Sequence, residues 1–498
     1  MSLLLPAQRD RRSPMRAGCR AAAIALAACA LALGGCAAPG GKAGEAALMP
    51  IDPTVTQVLA ALSAQRIEAR IHALAGFGTR HTLSDTMSDT RGIGAARRWI
   101  KRELEACSSA AGGRLQVAFE EHLEPVGPRV PQPTPIVNVV ATLPGTDALS
   151  RDRLYVVSGH YDSMPSDVMD ANSDAPGAND DASGVAAVME MACVMSGHRF
   201  DATLVFIAFA GEEQGLLGAA RWAAEARRTG LRVEAMITND IVGSPVGDFG
   251  QRDARQLRLF ADGLTPLLRL ALRAPGARVS ADDAAAYEEV RQRLENQTRA
   301  GGNADLPTNQ LGRHLKEAGE RYLPGFQVNL IQRPDRYLRG GDHLPFLARG
   351  YAAVRFTEPF ENFRRQHQNV RIENGVQYGD LPEFVDAAYV ADVARINAAG
   401  LATLALAPAP PSNVRIEVLQ LGNDTTLRWD RNTEPDLAGY RVVWRETGSP
   451  VWQHRRDVGN VTQTVLRGLS KDNVVFGVQA VDRTGHASMA SFPLPLMR

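Results

Sequence analysis

Apolar positions follow a helical period from Pro53 to Cys107, in VTQVLAALSAQRIEARIHALAGF and again in GIGAARRWIKRELEA, with the polar GTRHTLSDTMSDTR between them. Two helices flanking a loop are expected. Short β-rich runs then alternate with helical stretches: IVNVVATLPG, RLYVVSG, the helical SGVAAVMEMACVMSG, TLVFIAFAG, a helix around LLGAARWAAEARR, and VEAMITND. Such alternation predicts an α/β domain with a mostly parallel central sheet and helices on both faces. The charged, mostly helical stretch 250–321 reads as an insertion or lid beside the site rather than as another sheet, and AAVRFTE supplies one more strand. LPEFVDAAYVADVARINAAGLATLAL closes the domain, expected over 53–407, before the Pro-rich linker 408–413. Across 414–498 the pattern becomes short strands between turns, such as TTLRWD, GYRVVWRE and VVFGVQAVD. With Trp429 and Tyr440, this all-β tail resembles a fibronectin type III sandwich.

Composition removes some readings. Lysine plus arginine equals aspartate plus glutamate, 55 each, so no whole-chain pull toward nucleic acid is expected. Arg9, Arg11, Arg12, Arg16 and Arg20 precede an apolar run too short to span a bilayer comfortably, which predicts a signal peptide over 1–35. The run ends in LGGC and so resembles a bacterial lipobox, with Cys36 as the lipidated residue, 36–52 as a flexible linker and Met15 as an alternative start. The expectation is an exported enzyme, lipid-anchored to a bacterial membrane and facing the periplasm, or else secreted, which touches the membrane only through the anchor. Cys19 and Cys29 leave with the leader, and Cys107 and Cys193 remain as free thiols or as one disulfide.

Four polar clusters fall at or beyond the carboxyl ends of expected strands: His160 and Asp162 in GHYDS, Glu212 and Glu213 in GEEQG, Asp240 after VEAMITN, and His367 in FRRQHQ. That edge of an open α/β sheet is where ligands bind. GANDDASG adds Asp180 and Asp181 in the loop leading to the next helix. Two histidines and three carboxylates make a nitrogen and oxygen ligand set that suits zinc, with manganese or cobalt as alternatives. Two ions about 3.5 to 4 Å apart need a bridging carboxylate, for which Asp180 is the candidate. His160 and Asp240 would complete one metal, and Glu213 and His367 the other. Glu212 is then left to move the proton of a metal-activated water, and Asp162 to accept the free N–H of His160.

SGHYDS, PGANDDASGVAAVME, FAGEEQGLLG, NDIVG, GGDHLPF and the later QHQ follow the order seen in co-catalytic zinc aminopeptidases of the bacterial leucyl aminopeptidase type, relatives of glutamate carboxypeptidase II, which this chain resembles from about Thr54 to Leu406. The resemblance implies His160, Asp180, Glu213, Asp240 and His367 as ligands of two zinc ions and Glu212 as the base. It also implies a cis peptide between Asp180 and Asp181. Around His367 the chain departs from the family's pattern, which leaves His343 as an alternative ligand. Tyr337 is the candidate for an oxyanion-stabilising tyrosine. The substrates expected are peptides or proteins cleaved from the amino terminus. Alternatives are a carboxypeptidase or dipeptidase using Arg333, Arg336 and Arg339, a glutaminyl cyclase, or a catalytically dead binding protein. The sandwich module would hold a surface or a substrate.

Overall fold

The computed structural model describes residues 49–264 and 281–496, so the expected signal peptide, Cys36 and most of the linker 36–52 lie outside the described residues. The chain runs α1 (Pro53–Ala61), α2 (Ala64–Ala75), α3 (Gly92–Ala110), β1 (Gln116–Glu124), β2 (Thr134–Leu143), β3 (Arg153–His160), α4 (Ala182–Met195), β4 (Thr203–Phe209), α5 (Leu217–Thr229), β5 (Arg232–Asn239) and β6 (Gln256–Phe260). Then come α6 (Ala281–Arg299), α7 (Pro307–Tyr322), β7 (Gln327–Ile331), α8 (His343–Leu347), β8 (Ala353–Thr357), the hairpin β9 (Arg371–Glu373) and β10 (Val376–Tyr378), and α9 (Ala387–Leu406). The tail carries β11 (Arg415–Ile416), β12 (Thr425–Arg428), β13 (Leu437–Glu446), β14 (His454–Gly459), β15 (Gln463–Leu466), β16 (Val474–Asp482) and β17 (Leu494–Pro495).

Eight strands form one sheet in the order β1-β2-β4-β3-β5-β8-β6-β7. The middle pairings β4/β3, β3/β5 and β5/β8 are parallel, as is β6/β7, whereas β1/β2, β2/β4 and β8/β6 are antiparallel. The sheet is therefore mixed rather than mostly parallel. Strand β1 escapes the sequence pattern because QVAFEEHLE is a charged edge strand with little buried area. Strand β6 lies within 250–321, so this stretch adds to the sheet, and α7 is packed into the core rather than laid over the site as a lid.

Alternation along the central strands buries both faces. In β4, Leu204, Phe206 and Ala208 face a core with α1 to α4, α7 and α9, while Val205, Ile207 and Phe209 face α5 and α8. Helix α4 is apolar and buried nearly all round, as a helix in the middle of a core must be. It lies so close to the sheet that a Cβ at Gly184 would sit 2.2 Å from the carbonyl oxygen of Asn239. Cys107 of α3 and Cys193 of α4 form a disulfide, resolving the two states left open by the sequence.

The tail forms two sheets, β15-β12-β11-β17 and β14-β13-β16, around a core that includes Trp429, Tyr440 and Val478. It is fastened to the α/β body by buried charge. Asp305 bonds Arg313 of α7 at 3.0 Å and Arg445 of β13 at 2.7 Å, and Arg455 reaches Glu317 at 2.7 Å. His486 lies 2.9 Å from Asp482 and 3.5 Å from Asp52, just before α1. Among the described residues no helix is long and apolar enough to cross a membrane.

Two stability effects follow. A Cys107→Ser, Cys193→Ser variant opens a link between residues 86 apart and is expected to lose about 2 to 4 kcal/mol, read as a lower urea midpoint. For His486, burial lowers the pKa but Asp482 and Asp52 outweigh it and raise it above the usual value. The folded state thus holds the proton more tightly, and this stabilisation is complete below the unfolded pKa of about 6.5 and fades as pH rises through the folded one. His486→Gln is expected to lower the urea midpoint more at pH 6 than at pH 9; an equal loss at both would remove the charge from the account.

Candidate metal centre

Parallel pairing puts the carboxyl ends of β4, β3, β5 and β8 on one edge, and the polar residues that follow these strands meet there. His160 is the last residue of β3, Glu212 and Glu213 follow β4, and Asp240 follows β5. Asp180 arrives from the turn before α4, where the Asp180–Asp181 peptide is cis. His367 comes from the segment between β8 and β9.

Asp180 stands between two histidines, with Oδ1 3.1 Å from His160 Nε2 and Oδ2 3.0 Å from His367 Nε2. His367 Nε2 is also 3.1 Å from Glu213 Oε1. His160, Asp180 and Glu213 are buried, and each offers a ligand atom within 4.8 Å of the others. Hard oxygen and imidazole donors crowded at such distances fit a zinc ion. Asp240 reaches the same cavity, but its Oδ1 accepts from Arg355 at 2.7 Å. The cavity, about 360 Å³, is lined by Asp180, Glu212, Glu213, Asp240 and His367 together with Met164, Leu216, Ile241 and three arginines. Leu216, Ile241 and His367 have φ of 62°, 58° and 50°, a left-handed backbone that is rare outside glycine and especially so for a β-branched residue.

Crowding sets the charges. Burial, with Glu213, Asp240 and Asp342 adding to it against His160, holds the Glu212 carboxyl well above its usual pKa. Burial would lower His160, but Glu212, Asp162 and Asp180 hold it well above the ordinary imidazole value. The same contest raises His367 to about 11, with Glu213 and Asp180 outweighing burial. Asp180 goes the other way: its two histidines overcome burial and hold it well below the usual range.

Supporting contacts differ in part from those expected. His160 Nδ1 lies 3.2 Å from the main-chain carbonyl of Asp162 and 3.6 Å from its carboxylate. That carboxylate instead accepts from the amides of Glu212 and Glu213 at 3.2 and 3.1 Å and from the Thr82 hydroxyl at 3.0 Å. His343, the alternative ligand, is buried with Nε2 2.7 Å from the Pro334 carbonyl and does not line the cavity. Tyr337 is 82 % exposed, lies under the Arg333 guanidinium at 3.6 Å, and is also absent from the cavity wall. Its ring lies on the exposed side of a loop whose Arg336, Arg339 and Gly340 line the cavity.

Several residues at the centre carry no spacing signal. Asp380 accepts the amides of Asn179 at 2.9 Å and Asp180 at 2.7 Å, and burial raises it to about 7. Arg355, in the expected strand AAVRFTE, is fully buried between Asp240 and Asp335. Asp342, inside GGDHLPF, is buried with neither carboxylate oxygen partnered among the described residues and is raised to about 8, chiefly by burial.

A family model described as peptidase family M28 matches residues 138–268. A probable zinc metalloprotease of Pyrenophora tritici-repentis is 44 % identical over 446 residues, covering 90 % of this chain and 88 % of the relative. The chain belongs to peptidase family M28. A second probable zinc metalloprotease, from Leptosphaeria maculans, is 45 % identical over 434 residues, covering 87 % of this chain and 95 % of the relative. An aminopeptidase structure from Legionella pneumophila superposes with a TM-score of 0.48 at 17 % identity, covering 72 % of this chain and 76 % of that one. This M28 protein is a zinc-dependent metallopeptidase that cleaves peptide bonds with metal-activated water. The expected lipid anchor facing a bacterial periplasm is overturned: the metalloproteases that match nearly the whole chain are fungal. The lipobox resemblance rests on four residues, 33–36, at the end of an apolar run.

Asp380→Ala leaves two buried amides unpaired, at about 1 to 3 kcal/mol each, on the turn that presents Asp180. The expected result is zinc affinity weaker by about 10- to 100-fold, measured by competition with a chelator, in a protein whose circular dichroism stays folded.

Proposed function

We propose that this M28 peptidase is an aminopeptidase holding two zinc ions, one on His160 and Asp240 and the other on Glu213 and His367, with Asp180 as the bridge. The observation that carries this reading is the pair of contacts at Asp180, one carboxylate oxygen facing each histidine at 3.1 and 3.0 Å. When bound, the ions lower the pKa of water toward about 7 and polarise the substrate carbonyl. Glu212 binds no histidine in this arrangement and lines the cavity. That position suits a group that takes a proton from the attacking water and hands it to the leaving amine. Asp162 holds the amides of Glu212 and Glu213 and thereby fixes where both side chains begin. A cavity of about 360 Å³ with four carboxylates in its wall accommodates a terminal residue and its protonated amine.

The domain limits proposed are 53–407 for the peptidase, 408–413 for the linker and 414–498 for a fibronectin type III-like sandwich. The two-sheet arrangement, with Trp429 and Tyr440 rings 5.2 Å apart in its core, supports the last of these.

Bound zinc and hydrolysis of free and N-acetylated peptides, for the parent chain and Glu212→Gln, test this reading together. Expected are two zinc ions per chain, cleavage of free amino termini alone, and a loss of about 10²-fold or more in kcat for Glu212→Gln with zinc retained. A single zinc would remove the bridged pair, and equal cleavage of blocked peptides would remove the aminopeptidase assignment.

A further inference from the structure

Three arginines, Arg129, Arg336 and Arg339, line the cavity beside its four carboxylates. Glu361 accepts from Arg258, Arg336 and Arg339 at 2.9, 3.0 and 2.6 Å. Asp335 accepts from Arg336 at 3.0 Å and from Arg355 at 3.3 Å. Four guanidinium groups thus share two carboxylates, apart from Asp240, which bonds Arg355 and which the proposed function also assigns to a metal. Arg336 and Arg339 both line the cavity, but Arg336 is spent on these contacts with 10 % of its side chain exposed, whereas Arg339 is 32 % exposed with one nitrogen engaged by Glu361.

Arg129 reaches the cavity from a different part of the chain, the loop between β1 and β2. No carboxylate partners it among the described residues. Its Nη1 donates to the main-chain carbonyl of Glu213 at 2.7 Å, which anchors the exposed guanidinium at the cavity. Each group is held at one point and keeps further N–H donors, the arrangement in which a guanidinium fork takes a carboxylate. When Asp180, Glu213 and Asp240 serve metal ions, Glu212 is the carboxylate of the wall left to face these arginines.

We propose that Arg129 and Arg339 bind a substrate carboxylate carried by one of the two residues flanking the cleaved bond, and so direct the enzyme toward acidic peptides. This rests on the peptidase reading and adds its substrate class. An acidic side chain and the terminal carboxylate of a dipeptide share the chemistry, and the two sources separate in the assay. Because Glu361 fixes Arg339 from behind, the selectivity is set before substrate arrives and appears mainly in KM.

The test measures kcat/KM for amidated tripeptides that differ only by Glu or Gln at each flanking position, and for one dipeptide as free acid and as amide. It uses the full chain, Arg129→Gln, Arg339→Gln and Arg339→Lys, with zinc content determined for each. The carboxylate member of at least one pair is expected to be favoured about tenfold or more. That ratio should fall toward one in the Gln variants at unchanged zinc content and recover in part with Lys. Preference confined to the free-acid dipeptide would support the same site with the chain terminus as its ligand. Equal rates within every pair, or a preference that survives both Gln substitutions, overturn the inference while leaving the peptidase intact. No hydrolysis of any peptide overturns the peptidase reading itself.

Discussion

The carboxylate of Asp181 accepts from the amides of His160 at 3.0 Å, Gly184 at 3.1 Å and Ile241 at 3.3 Å. One side chain thereby ties the end of β3, the first turn of α4 and the turn after β5 to a common point. Capping the helix and fixing the strand ends are here the same act. Three of the ligand residues are placed by it, because His160 and Asp240 are each within one residue of an amide that Asp181 holds and Asp180 precedes it in the chain. Asp380 repeats the device from the other side by accepting the amides of Asn179 and Asp180.

This scaffold concentrates like charge at a cost. Asp162, Asp180, Asp181, Glu213, Asp240, Asp342, Glu358 and Asp380 are all buried within the same edge of the sheet. Buried carboxylates that repel one another either take up protons or need cations. Arg80 and Arg355, both fully buried, supply part of the compensation, and the histidines supply more. A divalent ion supplies the rest, which makes metal binding and stability of this edge one property rather than two. The left-handed backbone at Leu216, Ile241 and His367 belongs to the same economy of constraint: strained residues persist where their surroundings hold them.

The two-sheet tail is fixed in place by chemistry unlike that of a flexible tether. Arg313 and Arg445 share the buried Asp305, and breaking a buried pair by removing one partner leaves a charge in low dielectric, at about 3 to 5 kcal/mol. Since Arg313 and Asp305 belong to the α/β body and Arg445 to the tail, the two fold with fixed registration. The module is therefore part of the enzyme's architecture as well as a surface beyond it.

What the sequence determined by itself was local and periodic. Alternation in TLVFIAFA, helical spacing in SGVAAVMEMACVM and the polar residues that end each strand fixed the element types and the edge at which chemistry would gather. Residues His160, Asp180, Glu213, Asp240, Glu212 and His367 were legible because each closes an apolar run or sits in a dense polar motif. Tertiary structure alone decided the mixed pairing of the sheet, since antiparallel and parallel strands share one side-chain period. It also decided that β6 and β7 exist, because five-residue strands in charged surroundings carry too little pattern to be seen. Asp380, Arg355 and the arginines around Glu361 acquire their roles from partners far away in the chain. A buried charge is read from the company it keeps, and that company is assembled only when the chain has folded.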